Sequence, residues 1–413
     1  MNDNCQGKIK MFKPIQPCDK TEGSMCQHTK TSTGTELEWF RNMIPNCLEY
    51  AKCSKSQGKP IIGVMCEYTP RELIMAAGCV PVCLCGGSAA TISAAEAYLP
   101  GCLCPLIKST FGYHVLKNNP FLEMADMIVA ETTCDGKKKM YEIMGLTRPV
   151  YVLELPQKND DRCAFNHWLN ELQKFKYHLE KRFNLQITNE KLRAAITTMN
   201  QFRKLRREVA QLMAAEDPVL TGMELLTIKS SISAFAAEME QYKLALDHFS
   251  RRKQNCQRQK PARVLVTGVP IVHGAEHVID LIEQHGGLVV CFENCTGLKP
   301  VMEDVNENEA DLMTALARKY FEIPCSVMTP NSKRLDLLRD LYNQYRPDCV
   351  IELVWQGCLT YDVESFHVQK LVRDELGIGY LRIVTDYSQN DSTRIAMRID
   401  AMFETIRANV TSQ

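Results

Sequence analysis

Cysteine is the residue type whose number in this sequence most clearly suggests chemistry, since 19 of the 413 residues are cysteine. A secreted domain held together by disulfides is short and rich in loops, whereas this chain is long and has the periodicity of an α/β protein. Binding of a metal ion or a metal cluster is the next explanation. Burial as a small apolar residue is the alternative for any single cysteine, and we expect it for about half of them.

Six cysteines stand at predicted strand ends or in loops, which is where ligands of open parallel sheets bind. They are Cys66, Cys104, Cys134, Cys295, Cys325 and Cys358. Most have glycine or proline neighbours, such as Pro105 and Gly357, which stiffen a loop or let the backbone approach a bulky inorganic centre. Helix N-termini and nearby lysines would compensate the charge of six thiolates. The candidate lysines are Lys108, Lys137, Lys138 and Lys139.

The spacing of these six cysteines indicates the kind of metal centre. The compact ferredoxin spacing C-x₂-C-x₂-C is absent, and so is the paired CxxC knuckle that is typical of zinc sites. Ligands dispersed over both halves of the chain predict an iron–sulfur cluster at a domain interface, assembled only when the whole chain folds. Tetrahedral zinc is the competing metal.

The other cysteines are sorted by their surroundings in the sequence. Those within apolar runs are assigned to the core, and they are Cys79, Cys83, Cys291 and Cys349. Cys85 and Cys102 belong to CxC pairs and stay ambiguous, with Cys85 as the reserve ligand. Those without a companion motif are Cys5, Cys18, Cys26, Cys47, Cys53, Cys163 and Cys256. Cys5, Cys18 and Cys26, with His28, could bind a separate metal, although disorder of that segment is the favoured interpretation.

Several polar side chains flank the ligand motifs and could donate protons at a metal centre. They are His114, Glu131, Glu293, Gln356, Tyr361 and Glu364. Each is as good a candidate for a hydrogen bond that orients a ligand, so no catalytic role is assigned to any of them.

Strands that alternate with helices are expected to position these groups. Apolar runs predict parallel strands at residues 60–65, 79–85, 127–130 and 150–155, and again at 263–268, 287–292, 349–354 and 379–384. Thr69 is the predicted N-cap of a helix that starts at Pro70, a second helix is predicted at 89–98, and a third at 306–320. The predicted fold class is α/β, with two parallel-sheet domains covered by helices on both faces.

The chain divides into four predicted parts. Residues 1–35 form a polar N-terminal arm, and residues 36–159 form the first α/β domain. Residues 160–253 have almost no glycine and interleave charged with apolar residues at helical spacing, which predicts a helical segment. Residues 254–261 are a plausible linker, and residues 262–413 form the second α/β domain.

Composition excludes several classes of function. Lys and Arg together number 49, as do Asp and Glu, so bulk charge favours neither nucleic acid nor an anionic membrane as a partner. No apolar run approaches the roughly 20 residues that span a bilayer, and the N-terminus lacks the apolar stretch of a signal peptide. A cytoplasmic location is expected. The chain has no G-x-x-x-x-G-K-[ST] loop, so it is not expected to hydrolyse ATP.

Motifs in both halves of the chain resemble a known superfamily. The strings CEYTPRELIMAAG, AEAYLPGCLCPLIKSTFG, ETTCDGKKKMYE, FENCTG, IPCSVMTPN, WQGCLTYDVES and TDYSQND occur in the order found in the 2-hydroxyacyl-CoA dehydratase / benzoyl-CoA reductase superfamily. Within it the sequence most resembles the double-cubane cluster proteins. The resemblance covers roughly residues 38–407, and it implies that each parallel-sheet domain is flavodoxin-like.

The resemblance also implies a ligand set and a cofactor. Cys104, Cys134 and Cys358 match the three cysteines that hold one [4Fe–4S] cluster in the dehydratases. Cys66, Cys295 and Cys325 match further motif cysteines of the double-cubane branch, which implies an [8Fe–9S] cluster bound by six thiolates.

By the same resemblance, the expected function is that of a reductase component that acts on small unsaturated molecules. Its electrons would come from a separate ATP-hydrolysing activator with its own [4Fe–4S] cluster, and the chain is expected to form a homodimer. A 2-hydroxyacyl-CoA dehydratase subunit, which removes water through a radical, is the first alternative. A non-catalytic electron-transfer protein and a zinc-stabilised scaffold are the others.

Overall fold

Two parallel four-stranded sheets form the framework of the computed structural model, which describes residues 37–252 and 260–411. The strand order is β2-β1-β3-β4 in the first sheet and β6-β5-β7-β8 in the second. The strands are β1 (Ile61–Val64), β2 (Val80–Cys83), β3 (Met127–Glu131), β4 (Val150–Leu153), β5 (Ala262–Gly268), β6 (Gly287–Phe292), β7 (Cys349–Trp355) and β8 (Gly379–Thr385). Both sheets share the 2-1-3-4 order of flavodoxin-like folds, so the predicted fold class is confirmed.

Burial on both faces explains why the central strands are almost entirely apolar. All residues of β1, β3 and β7 are buried. In the first sheet Val64 is paired with Cys83 on one side and with Val129 on the other, so three strands end at nearly the same level. The loops that carry Cys66, Cys85 and Cys134 therefore leave one edge of this sheet together.

Helices cover the two sheets on both sides. Those of the first half are α1 (Glu38–Arg41), α2 (Met43–Ser56), α3 (Arg71–Ala76), α4 (Ile92–Ala95), α5 (Pro105–Leu116), α6 (Pro120–Met124) and α7 (Asp135–Met144). The helical segment contains α8 (Arg162–Phe183), α9 (Asn189–Gln211), α10 (Gly222–Thr227) and α11 (Ala236–Arg251). Those of the second half are α12 (His277–Gln284), α13 (Leu312–Phe321), α14 (Ser332–Tyr345), α15 (Leu359–Lys370) and α16 (Ser392–Thr411).

The helical segment packs against both halves of the chain. Helix α8 contacts β4 of the first sheet and α13 of the second half, and α9 contacts α3 and α11. Trp168, Leu172, Phe175 and Leu179 recur at helical spacing on α8 and are fully buried, which is the amphipathic pattern read from the sequence. The described residues belong to one compact unit, and the proposed boundaries at 159, 253 and 262 stay a prediction.

Three local predictions differ from the structure. Thr69 is not the cap of α3: Pro70 is the N-cap residue, and the Thr69 hydroxyl donates a hydrogen bond to buried Glu131 instead. The predicted helix at 89–98 is only a 3₁₀ turn (Ala89–Thr91) followed by the four residues of α4. The predicted helix at 306–320 starts later, at α13, where the Asp311 side chain accepts a hydrogen bond from the Met313 N–H.

Parts of the predicted organisation lie outside the described residues. The N-terminal arm, with Cys5, Cys18, Cys26 and His28, belongs to that part of the chain, and so do Cys256 and most of the predicted linker.

Candidate metal centre

Three of the six predicted ligands occupy the same position in the structure, the N-cap of a helix. Cys104 precedes α5, Cys134 precedes α7 and Cys358 precedes α15. These helices have 12, 10 and 12 residues, and the N-terminus of each carries unpaired N–H groups and partial positive charge. Such an end favours a thiolate over a thiol, so the three positions suit metal-binding sulfurs.

Cys104 and Cys358 come from different halves of the chain and meet across a close backbone contact. Gly357 has φ +77°, and a Cβ on it would lie 2.3 Å from the Cys102 carbonyl oxygen, so only glycine fits. The two cysteine side chains lie close enough for each to affect the other's pKa. This interaction lowers the pKa of Cys358 to about 7 and, together with burial, raises the pKa of Cys104.

The other three predicted ligands form a second group. Burial raises the pKa of Cys66 well above its usual value, and the neighbouring charges of Glu131, Cys295 and Cys325 act in the same direction. Burial likewise raises the pKa of Cys295 to about 12, with Cys325 among the groups that contribute. The loops are tied together by Tyr68, whose hydroxyl donates a 2.8 Å hydrogen bond to the Ile323 carbonyl.

The two groups of cysteines adjoin each other at Lys137. Cys134 is close enough to both Cys358 and Cys325 for their charges to raise its pKa, although burial is the larger cause. Lys137 is surrounded by protein, and its ammonium donates a 3.1 Å hydrogen bond to the Met65 carbonyl. Burial opposes its charge, but Tyr141, Cys66, Cys85 and Cys134 raise its pKa well above the usual value. The structure therefore brings all six predicted ligands into one region.

Of the four lysines that were expected to compensate the thiolates, Lys137 alone lies among the sulfurs. Lys108 is buried but pairs with Glu96 and donates to the Gly101 carbonyl. Lys138 pairs with Asp135 and Lys139 with Glu142, both within the exposed side of α7. The prediction was wrong for these three lysines. Lys138 and Lys139 follow Lys137 on α7 but point in other directions, because only every third or fourth residue of a helix shares a face. Lys108 lies on α5, and its ammonium is held by Glu96 and the Gly101 carbonyl.

Cys83 was assigned to the core, and the structure corrects this. Its side chain interacts with that of Cys85, which lowers the pKa of Cys83 to about 7 and raises that of Cys85. Cys83 is the last residue of β2, and its side chain lines a cavity together with that of Cys85. The assignment was correct for Cys79, Cys291 and Cys349, which are buried in apolar clusters. Of the cysteines without a motif, Cys47 is buried and Cys163 is exposed. Cys102, which was ambiguous, is exposed as well.

Glu131 is the proton-donor candidate with the most suitable surroundings. It is fully buried, its Oε1 accepts a hydrogen bond from Thr69, and its Oε2 has no hydrogen-bond partner among the described residues. Burial raises the pKa of Glu131 to about 8, against the opposing effects of Thr69 and Lys137. At neutral pH this carboxyl group is therefore mostly protonated, and it lies beside Cys66.

Two other candidates, His114 and Gln356, have described contacts that do not involve the sulfurs. His114 is in the last turn of α5, ten residues after Cys104, which is about 15 Å along the helix. Its Nδ1 accepts a 2.9 Å hydrogen bond from Arg148. Gln356 is exposed and contributes its backbone N–H to the Thr385 carbonyl.

The remaining proton-donor candidates are Glu293, Tyr361 and Glu364. They belong to a buried charge network that was not predicted from the sequence. Arg334 is fully buried on α14, and its guanidinium reaches Glu293, Glu352 and Glu364. Lys299 lies 3.0 Å from both a Glu293 oxygen and the Tyr361 hydroxyl. Lys299 and Arg334 hold the pKa of Glu293 below its usual value, although burial opposes them.

One signal for this network is present in the sequence. Glu352 stands in the middle of the apolar strand CVIELVW, and a carboxylate buried there needs a cationic partner. The network joins Glu293, two residues before Cys295, to helix α15, which starts after Cys358. It therefore positions the loops of these two predicted ligands relative to each other.

A cavity of about 420 Å³ leads to the cysteines from one side. Cys83, Cys85 and Cys295 are among its lining residues, and arginine, lysine, tyrosine and serine side chains form much of the rest of the lining. The volume lies within the range of small-molecule sites. The arrangement thus combines a group of thiols, a protonated carboxyl group and access for a small ligand.

Comparison with known proteins identifies the family. The profile of the family described as 2-hydroxyglutaryl-CoA dehydratase, D-component, matches residues 66–406. A protein of Escherichia coli (strain K12) with the provisional name dehydratase subunit YjiM is 39% identical over 85% of this chain and 92% of its own length. The lactoyl-CoA dehydratase subunit beta of Anaerotignum propionicum is 23% identical over 84% of this chain and 92% of its own length.

A relative with a different reaction in its name is also similar. One of the benzoyl-CoA reductase subunits of Thauera aromatica is 25% identical over 56% of this chain and 60% of its own length. None of the helices in the described ranges is both long and apolar enough to span a membrane. The family profile covers most of the chain and includes all six predicted ligands, so the chain belongs to the 2-hydroxyglutaryl-CoA dehydratase D-component family.

Proposed function

We propose that this chain is an iron–sulfur reductase component that holds a double-cubane [8Fe–9S] cluster and reduces small unsaturated substrates. The observation that carries the proposal is the meeting of two groups of three cysteines, one with Cys104, Cys134 and Cys358 and the other with Cys66, Cys295 and Cys325. Two cubanes joined by a sulfide need two sets of three thiolates that adjoin each other. Cys85 lies beside Cys66 and stays the reserve ligand.

The residues present fit an anionic cluster. Three helix N-termini and Lys137 supply positive charge, and Gly357 leaves room where a Cβ would collide with the Cys102–Cys104 loop. Within residues 37–252 and 260–408, no three cysteine sulfurs lie within 4.8 Å of one another. Tetrahedral zinc, with Zn–S bonds of about 2.3 Å, needs sulfurs roughly 3.8 Å apart. No three of the described cysteine sulfurs therefore stand together as closely as a tetrahedral zinc site requires.

When bound, the cluster would supply electrons at low potential, and the side chains around it would control water and protons. Tyr68 and Tyr361 are buried beside the second group of cysteines and would shield it from water on the sides that the cavity does not reach. Glu131 holds a proton next to Cys66, with Oε2 free to donate it. Lys137 keeps the positive charge that an electron-rich site requires.

A 2-hydroxyacyl-CoA dehydratase subunit is the second candidate, because the names of several relatives specify that reaction. In that case Cys104, Cys134 and Cys358 would hold one [4Fe–4S] cluster, and water would leave the substrate by a radical route. The further motif cysteines Cys66, Cys295 and Cys325 would then have no assigned purpose although they stand beside the first group. A non-catalytic electron-transfer protein is a third candidate.

Metal analysis of protein purified without oxygen tests the proposal. We expect about eight irons per chain and a broad brown absorption that bleaches on reduction. About four irons per chain would contradict the double-cubane cluster and favour the dehydratase candidate. One zinc without iron would contradict any cluster.

The proposal includes two partners. A separate ATP-hydrolysing activator with its own [4Fe–4S] cluster would deliver electrons, since this sequence has no phosphate-binding loop for ATP. A second copy of the chain would complete a homodimer, and relatives that are named as subunits support assembly of some kind. Light scattering of the iron-loaded protein is expected to give twice the chain mass of 46.9 kDa. The mass of a single chain would contradict the homodimer.

A further inference from the structure

The cavity beside the cysteines carries more positive than negative charge. Five of its lining residues are cationic, and three of these have carboxylate partners. Arg71 binds Glu67 through two hydrogen bonds, Arg203 pairs with Glu72, and Lys229 pairs with Glu276.

The remaining two cations, Arg206 and Lys319, form no ion pair with a carboxylate in the described ranges, and each is held by backbone oxygens instead. The Arg206 Nη2 donates 2.8 Å hydrogen bonds to the carbonyls of Thr296 and Gly297, and the Lys319 ammonium donates one of 2.8 Å to the Pro300 carbonyl.

Arg206 is fixed close to the proposed centre. Its carbonyl acceptors are the first and second residues after Cys295, and its guanidinium lies 5.8 Å from the centre of the Phe202 ring. All hydrogen bonds described for this side chain use Nη2, which leaves N–H donors on Nη1 and Nε for a ligand. A ligand bound there would lie next to the loop of Cys295.

Lys319 adds a second nitrogen donor to the lining of the cavity. It is buried, and its Nζ lies 4.3 Å from the centre of the Tyr320 ring. Burial lowers the pKa of Lys319 well below its usual value and Arg203 acts in the same direction, so a carboxylate bound beside it would favour its charged form. Its described hydrogen bond goes to a single carbonyl, which leaves further N–H donors for a ligand. Arg206 comes from the helical segment and Lys319 from the second half of the chain, so an anion between them would be bound from two sides.

We propose that this cavity binds a small substrate through a carboxylate group, with Arg206 and Lys319 as the side chains that receive it. The proposal rests on the proposed function, and it specifies the substrate class of that site as small carboxylic acids. Charge-assisted hydrogen bonds from arginine and lysine are the strongest contacts available to a carboxylate. The volume of about 420 Å³ suits a short acid, whose reducible part would lie toward Cys85 and Cys295.

The test compares crotonate with uncharged crotonamide, which has the same shape, by calorimetric titration of the oxidised, iron-loaded protein without oxygen. We expect crotonate to bind at least about tenfold more tightly than crotonamide. Arg206→Gln is expected to lower the affinity for crotonate by about 10- to 100-fold and to leave the affinity for crotonamide unchanged. Lys319→Met is a second variant with the same expected direction. Equal affinity for the two probes would overturn the proposal.

Arg207→Gln is the matched control. Arg207 follows on the same helix but pairs with Asp304 at 2.7 Å and does not line the cavity, so crotonate affinity should stay at the wild-type value. Equal losses in both arginine variants would overturn the proposal. So would loss of iron in Arg206→Gln, because the cation would then serve the cluster and not a substrate.

Crotonyl-CoA distinguishes a carboxylate from the phosphates of coenzyme A. If crotonyl-CoA alone bound and Arg206→Gln weakened it, the cations would bind phosphate and the carboxylate assignment would fail. The iron count tests the proposed function separately. Crotonate binding through Arg206 in a protein with four irons would support this inference while the double-cubane proposal failed.

Discussion

Replacement of Cys358 or of Cys134 by serine is expected to reduce the iron content from about eight per chain to four or fewer, with a matching loss of the brown absorption. The two residues are far apart in sequence, yet the structure places them in the same group, and their charges interact. Serine is a favoured N-cap residue, so it should preserve the starts of α15 and α7 while it removes a soft thiolate ligand.

The control for these variants is Cys349→Ala. Cys349 is fully buried within β7, and its loss should cost only about 1 kcal/mol of stability and no iron. Iron and protein are to be measured on the same samples, with circular dichroism to verify folding. Full iron content and an unchanged spectrum in both serine variants would refute a cluster that joins the two halves of the chain.

Replacement of Arg334 by methionine is expected to lower the free energy of unfolding by roughly 3–5 kcal/mol. Arg334 is buried among Glu293, Glu352 and Glu364, and its Nη2 also donates a 2.8 Å hydrogen bond to Thr267. Methionine fills a similar volume but leaves buried carboxylates without their cation. Because α15 starts after Cys358 and Glu293 precedes the Cys295 loop, we also expect weaker retention of iron.

Arg339→Met on the same helix is the matched control. Arg339 is partly exposed and pairs with Asp336 and Glu375 at the surface, so its loss should cost less than about 1 kcal/mol. Urea unfolding without oxygen, followed by circular dichroism, measures both variants. Similar midpoints for Arg334→Met and Arg339→Met would show that the buried network contributes little.

The strands were predictable from sequence because a buried parallel strand is a short apolar run whose signal is local. All eight predicted strands are present, and the predicted bounds differ from those of β1, β6 and β7 by only one residue or none. Helix starts were less predictable where they depend on distant partners. Thr69 has the right residue type for an N-cap, but its hydroxyl donates its hydrogen bond to Glu131, which lies 62 positions later.

For four of the six cysteines a position at a sheet edge was predictable, because Cys66, Cys134, Cys295 and Cys358 follow strands, and parallel strands end at one edge of their sheet. Cys104 and Cys325 stand in loops that follow helices, so their place beside the other four depends on tertiary packing. The sequence also carried the motifs that identified the family. The contact of Gly357 with the Cys102–Cys104 loop was not predictable in the same way, since it depends on how the second sheet packs against the first.

The charged surroundings of the site depend on tertiary packing. Lys137, Lys138 and Lys139 are equivalent as residue types, and the orientation of α7 alone places the first among the sulfurs and the other two at the surface. Arg334 and Arg206 lie on helices with many exposed charges, so their sequence pattern suggests solvent. Arg334 is buried among acidic residues, and Arg206 lies half-buried beside the Cys295 loop. Both positions come from contacts between segments far apart in the chain, because charge interactions act through space and not along the sequence.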